Sequence, residues 1–258
     1  MVDAVRDQAI DPWATLPVPP EIELVEIDGA TIGFGPVPMA QVIRIDGAGP
    51  GDLPGAVEAA RAAARERNRT ILAWWVTPEH DGLAAGLESH GLRNVDTPGF
   101  EAIENAMALV EPPPGEPAGD VDVRIAETWD DFLAMTAVGR ECFGTPETSQ
   151  EELRERYDVY RRPDNPGRGF LASVDRREVG AAYAAFGPAG VNLFGGAVVE
   201  AARGRGVYRA LVHARWRSAV ERGTPALTVQ AGRMSMPILE RLGFQWIAPV
   251  RVYVDELS

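Results

Sequence analysis

Between Val191 and about Arg222 an apolar run, a basic glycine turn and an amphipathic helix follow one another without a gap, and this joint restricts the chain more than any other stretch. The turn reads Arg203-Gly204-Arg205-Gly206-Val207-Tyr208. Gly204 and Gly206 let the backbone bend tightly, so that successive N–H groups converge at the positive end of the next helix dipole. Arg203 and Arg205 add cationic forks beside them. A strand-to-helix joint of this composition is expected to bind phosphate, the alternative being a structural Gly-Arg turn. Val207, Ala210, Leu211 and Ala214 give the helix an apolar side, widened by Val212, Trp216, Ala219 and Val220, before Gly223-Thr224-Pro225 stops it.

The neighbourhood of the turn extends the pattern. Val191-Asn192-Leu193-Phe194-Gly195-Gly196-Ala197-Val198-Val199 precedes it, and a strand over Ala226–Gln230 follows, with a short helix closing in Leu239-Glu240-Arg241-Leu242-Gly243-Phe244. This order resembles the GNAT superfamily of N-acetyltransferases, whose acyl-CoA loop has the form Q/R-x-x-G-x-G/A and whose next helix commonly ends in Leu-Gly-Phe. Arg203 and Gly206 match that loop, while Tyr208 stands where the family has a small residue. The resemblance implies an α+β, sandwich-like fold with a mixed, mostly antiparallel sheet flanked by helices. It also implies acetyl-CoA as cofactor, held by the backbone of Ala197, Val198 and Val199 and by the loop Arg203, Gly204, Arg205, Gly206, Val207 and Tyr208. A dinucleotide-binding reading fits less well, because that fingerprint needs three glycines and a later acidic residue where this chain offers Arg209 and Gln230.

Gly195-Gly196, inside the strand before the turn, weakens regular pairing and predicts a bulge that bends the strand from its neighbour. In the family such splaying opens a slot for the pantetheine arm. The local alternative is a bulge that only relieves curvature.

Composition narrows the partners. The chain has 258 residues with 38 acidic side chains against 25 basic ones, a formal charge of −13, which excludes a nucleic-acid backbone and favours cationic acceptors or plain solubility. All 25 basic residues are arginine. Cys142 is the only cysteine, so no intramolecular disulfide forms and a cysteine-based metal site is excluded. Asp3, Asp7 and Asp11 occupy the amino terminus in place of an apolar signal segment, and a reducing cytoplasmic location is expected. The uncharged run Val179–Val199 is long enough for a membrane helix, but Pro188, Asn192 and five glycines break it into two strands around Gly187-Pro188-Ala189-Gly190.

The proline-rich stretch 111–119 reads as a linker, since its prolines lack N–H donors and fix φ. After it come a strand over Val121–Ile125, helices over Trp129–Cys142 and Gln150–Tyr160, and strands over Gly169–Val174 and Val179–Phe186. Before it, a helix over Leu53–Asn68, a strand over Thr70–Val76 and a helix over Glu79–His90 with His90-Gly91-Leu92-Arg93 repeat the later order in weaker form. Gly47-Ala48-Gly49-Pro50-Gly51-Asp52, the counterpart of the basic turn, carries an aspartate and no cation, and would repel a diphosphate. The expectation is two tandem copies: residues 1–110 degenerate, 120–258 active, as monomer or homodimer. An unrelated α+β cap in the first half is the alternative.

Acyl transfer to an amine needs a neutral amine, a polarised carbonyl and a proton for the leaving thiolate. The family resemblance puts a carbonyl-polarising strand N–H near Val198. It also implies a tyrosine acid four residues before the glycine of Leu-Gly-Phe, where this chain has Leu239. Ser235, one turn earlier, is a candidate substitute and equally an N-cap for the helix entering Pro237. Glu200 is a candidate base, against an ordinary solvated carboxylate. Glu141 and Cys142 end a helix that could face an acceptor, Cys142 reading as a small apolar residue. His80, His90 and His213 lack metal-ligand spacing, and Tyr183 and Trp216 read as core aromatics. The function expected is acetyl-CoA-dependent N-acetylation of a small-molecule or peptide amine; the alternative is a non-catalytic acyl-CoA sensor of the same fold.

Overall fold

The computed structural model describes residues 2–35, 39–45, 52–97, 101–117 and 119–257. Helices α1 (Asp3–Ile10) and α2 (Pro12–Thr15) lead into a meander of β1 (Glu23–Ile27), β2 (Ala30–Phe34) and β3 (Met39–Ile45). Helix α3 (Leu53–Glu66), strand β4 (Ile71–Val76), a 3-10 turn (Pro78–Leu83), helix α4 (Ala84–Ser89) and strand β5 (Ile103–Leu109) complete the first half. The second half runs β6 (Val121–Ile125), α5 (Trp129–Phe143), α6 (Gln150–Tyr160), β7 (Gly167–Val174), β8 (Arg177–Phe186) and β9 (Val191–Val198). It ends with a 3-10 turn (Glu200–Ala202), α7 (Val207–Glu221), β10 (Leu227–Ala231), α8 (Met236–Arg241) and β11 (Gln245–Glu256).

Local chemistry explains the sharpest boundaries. Thr128 and Asp131 form a reciprocal capping box, with the Asp131 N–H donating to Thr128 Oγ1 at 3.1 Å and the Thr128 N–H to Asp131 Oδ2 at 3.2 Å. Gly144, at φ 65°, closes the same helix in the left-handed region. Ser149 Oγ accepts the Glu152 N–H at 3.2 Å and starts α6. One expected helix needs correction: Glu79–His90 is a 3-10 turn followed by the short α4, with the poor helix former Gly82 at their junction.

The strands form one sheet in the order β1-β2-β3-β4-β11-β5-β10-β9-β8-β7-β6. Both parallel pairs, β3 with β4 and β9 with β10, are joined by a crossover helix, α3 and α7 respectively, so the two halves repeat one plan. Their last strands are exchanged. β5 of the first half pairs with β10 of the second, β11 of the second pairs with β4 of the first, and β5 and β11 pair with each other at the centre. The counterpart turn 47–51 lies outside the described residues.

Each half has its own apolar core. Ile32, Leu53, Leu72, Trp74 and Leu87 fill the first; Met135, Phe170, Leu171, Leu211 and Leu227 fill the second. Helix α7 lies close on β8 because Gly180 has no side chain: a Cβ there would come within 2.7 Å of Val207 Cγ1. Helix α1 covers the centre of the sheet, where buried Gln8 donates through Nε2 to Thr228 Oγ1 at 2.9 Å. No helix among the described residues is long and apolar enough to cross a membrane, and no group of three His, Cys, Asp or Glu among them could hold a metal ion.

Candidate functional site

Strand β9 has two different edges. Against β8 its register runs Ala181↔Ala197 and then Tyr183↔Phe194, so Gly195 and Gly196 together stand opposite Ala182 in a bulge. Gly195 adopts φ 58° there, which an unbranched glycine tolerates. Against β10 the parallel ladder consists of Leu227↔Val191 and Thr228↔Asn192, after which the strands part. From Leu193 to Val198 the second edge of β9 therefore faces a widening gap.

Not all of the backbone expected to face this gap does so. The Val199 N–H donates to Val179 O at 3.0 Å on the β8 side. Backbone groups of successive strand residues point to opposite edges, so Val198 is the residue of Ala197, Val198 and Val199 that presents its backbone to the gap. The Val198 carbonyl accepts Arg203 Nε at 3.3 Å.

The basic turn follows β9 by way of the 3-10 turn Glu200–Ala202. Gly204 has φ 76° and Gly206 φ 79°, and a Cβ on Gly204 would meet nothing within 4 Å. Glycine is required at 204 by backbone geometry and not by crowding. Gly206 is the N-cap of α7, which has no side-chain cap and no acidic residue in its first turn; the first N–H turned into the helix is that of Ala210, on Gly206 O at 2.9 Å. The N–H groups of Val207, Tyr208 and Arg209 thus point out of the helix end toward the turn. Arg203 and Arg205 are both exposed, and Arg205 Nη2 is held by Asp120 at 2.9 Å with Asp175 at 3.8 Å.

A cavity of about 520 Å³ occupies the gap, lined by Asn192–Gly196 of β9, Val229 and Gln230 of β10, Tyr208 and Arg215 of α7, and Ser235. The first half supplies the remaining wall through Trp13, Glu21, Trp75 and Glu104. A second cavity of about 860 Å³ lies under α5 and α6, bordered by Met135, Arg140, Arg156, Tyr160 and Tyr183. The two share Pro19, Glu21, Ala185, Phe194 and Gly195, and so meet at the bulge.

Three ionisable groups in the first cavity are displaced from their ordinary behaviour. Burial pushes the Glu104 carboxyl up to about 7; the Trp75 indole N–H, 3.3 Å from Oε2, pulls it down, and Glu101 adds to the rise. Burial pulls the Arg215 guanidinium down to about 10, with Tyr208 opposing, so it stays charged at neutral pH. Arg215 is 1% exposed; its Nε donates to Leu211 O at 3.0 Å and its Nη1 to Tyr183 O at 3.3 Å beside the bulge, while Nη2 has no partner. Burial raises the Tyr208 phenol and Arg215 counters it. The Tyr208 ring packs on β9, where a Cβ on Gly196 would lie 2.9 Å from Tyr208 Cε2, so the bulky side chain turns away from the basic loop and into the gap.

The other candidates are distributed unevenly. Ser235 lines the cavity and sits at the N-cap position of α8, but its backbone has φ −85° and ψ −34° and its hydroxyl donates to Gly232 O at 3.1 Å, so it does not cap. Glu200 is exposed in its 3-10 turn and borders neither cavity. Leu239 is fully buried in the second core. Glu141 and Cys142 also border neither cavity, and burial, with Glu141, pushes the Cys142 thiol up against the opposing Arg203. Burial lowers His213, whose Nε2 is enclosed without a partner away from both cavities. Glu104, Trp75 and Arg215 carry no sequence signal of a site, because their cavity neighbours are supplied by strands distant in the chain.

No protein-family model matches the chain, and no functionally curated protein matches it. Solved structures do. A GCN5-related N-acetyltransferase from Kribbella flavida superposes with a TM-score of 0.71 at 18% identity, over 97% of this chain and 95% of the other. One from Sphaerobacter thermophilus gives 0.68 at 18% identity, over 89% and 77%. A tandem GNAT protein from the clavulanic acid biosynthesis pathway gives 0.64 at 18% identity, over 99% and 94%. With its repeated halves, crossover helices and mixed sheet, the chain has the fold of the GCN5-related N-acetyltransferases in its tandem form.

Proposed function

We propose that the protein is an acetyl-CoA-dependent N-acetyltransferase, with the donor bound in the second half, residues 120–258, and the degenerate first half, residues 1–110, walling the acceptor side. The observation that carries this reading is the end of the β9–β10 ladder after two residues, next to a helix start with no cap of its own. The residues present fit the donor. The N–H groups of Gly204 to Tyr208 and the Arg203 and Arg205 guanidinium groups would hold its diphosphate, and the Val198 backbone would pair with its arm as an added strand does. Coenzyme A supplies the thioester that makes the acyl carbon electrophilic.

The chain's own groups account for the proton steps. Leu239 occupies the position where the family tyrosine stands, and Tyr208, where the family has a small residue, projects its phenol into the gap beside Arg215. We assign Tyr208 as the proton donor to the leaving sulfur; the two departures from the family pattern then compensate each other. The cationic Arg215 favours the phenolate that remains.

Calorimetry with coenzyme A on the intact protein and on an Arg203→Ala/Arg205→Ala variant tests the donor site. Binding by the parent and a loss of about tenfold or more in the variant are expected, each guanidinium contact to a phosphate contributing about 1.5–3 kcal/mol. Absence of coenzyme A binding by the parent overturns the proposal. Thiol release from acetyl-CoA across an amine panel separates the enzyme from a sensor, which would bind the donor without turnover.

A further inference from the structure

We propose that Glu104, delivered from the first half by the exchanged strand β5, receives the acceptor as an ammonium ion and takes its proton, the acceptor being a primary amine with an aromatic or apolar body. The inference rests on the donor site proposed above and assigns its other side.

Three observations converge on this carboxylate. The β5–β10 register pairs Ala231 with Asn105 and Gln230 with Ala106, so Glu104 lies on the sheet face of Ala106 and Gln230, the face covered by α1. It borders the same cavity as Gly195 and Gly196, where the open edge of β9 begins. Among the described residues no arginine pairs with it, and its hydrogen-bond donor is the Trp75 indole.

A carboxylate enclosed without a cation is costly unless a ligand provides one. The cavity walls include the indoles of Trp13 and Trp75, the latter with its N–H edge on Glu104, and this aromatic lining suits the carbon body behind an ammonium group. The charged groups around the site are Glu21 from the N-terminal arm and Glu101 before β5, both acidic, with Arg215 of α7 in the same cavity. Two acids near the acceptor and one cation near the donor strand match an ammonium meeting a thioester. The raised carboxyl lets Glu104 exchange a proton with an amine near neutral pH.

The step balances without another reagent. The ammonium N–H bond breaks toward Glu104, leaving a neutral amine and a protonated carboxyl. The nitrogen pair forms the C–N bond at the acyl carbon and the C–S bond breaks. A second nitrogen proton is lost to solvent as the leaving thiolate takes one from Tyr208, which reprotonates from water. Glu104 then releases its proton to water.

The binding arm of the test needs no coenzyme A. Calorimetry at pH 8 compares phenethylamine with 2-phenylethanol, which lacks the ammonium. The parent should bind the amine at least tenfold more tightly, Glu104→Gln should erase that preference, and Glu104→Asp should keep part of it. No preference in the parent, or an undiminished one in a folded Glu104→Gln, overturns the assignment. In turnover with acetyl-CoA, the acid limb of kcat/KM near pH 7 should vanish in Glu104→Gln with a loss of about 100-fold; a retained limb also overturns it. Failure of coenzyme A to bind the parent would instead refute the donor site, while the amine preference would still decide Glu104.

Discussion

Glu104→Gln should stabilise the folded protein at pH 8 relative to pH 4, an effect opposite to that expected when a buried hydrogen-bonding residue is trimmed. The folded carboxyl titrates near 7 instead of 4.5, so between those values the folded state keeps a proton that the unfolded chain has released. Stability therefore falls as pH rises through that window, and the cost is complete above about 7. A displacement of this size corresponds to about 3 kcal/mol, an upper value because the carboxyl is not wholly enclosed. Glutamine keeps the shape and the acceptor for the Trp75 N–H but never ionises, so it escapes the cost. Urea unfolding of parent and variant at pH 4 and pH 8 isolates the effect, because every other titrating group cancels in the difference between the two proteins. The variant should gain about 2–3 kcal/mol on the parent between the two pH values. An equal difference at both pH values would falsify the claim that Glu104 is desolvated in the cavity.

Tyr208→Phe should lower kcat by about 10- to 100-fold with coenzyme A affinity unchanged, read by steady-state kinetics beside calorimetry; unchanged kcat would remove the phenol from the proton path. Thr128→Ala breaks the capping box and should cost about 1 kcal/mol in urea unfolding. It should also lift Asp131, whose burial is outweighed by the Thr128 and Arg124 bonds that hold it at about 2, so stability that is now lost as pH falls from 3.8 toward 2 should fade at higher pH. Gly180→Ala forces Val207 away from β8 and should cost about 1–3 kcal/mol by thermal unfolding; a neutral result would mean that α7 can move off the sheet freely. Fragments 1–110 and 120–258 made separately should each lack a dispersed amide spectrum and regain one on mixing, whereas a well-folded 120–258 alone would show that β5 is dispensable.

What the sequence revealed depended on the range over which the signal is written. The bulge at Gly195-Gly196, the turn at Gly204 and Gly206 and helix α6 from Gln150 to Tyr160 were readable because glycine, capping serine and periodicity act within a few residues. Ser235 looked like a cap from its neighbours alone, yet its hydroxyl turns back to Gly232. Strands β5 and β11 left little local trace. Pro249 interrupts the apolar pattern of β11, and β5 is a short run whose partners, β10 and β11, come more than a hundred positions later. Glu104 was invisible for the same reason: its environment is made by Trp75 and by residues of the second half, and no spacing along the chain records that proximity.

The strand exchange gives a physical reason for a half without a phosphate turn to persist. Were β5 to close the first half and β11 the second, the edge beside β10 would carry residues of the second half alone. Exchange places Ile103–Leu109 there instead and brings Glu104 to the cavity, while β11 ties the second half to Trp74 and Trp75 of β4. The first half then contributes both to the sheet and, through Trp75 and Glu104, to the cavity that the proposed function assigns to the acceptor. Changes that weaken its core, such as truncation of fully buried Trp74, would act on the site through the position of β4 and Trp75 without touching the donor turn. The lack of a basic residue in the sequence Gly47–Asp52 accords with the proposed division, in which one half alone would hold the donor's diphosphate, whereas the sheet needs both sets of strands.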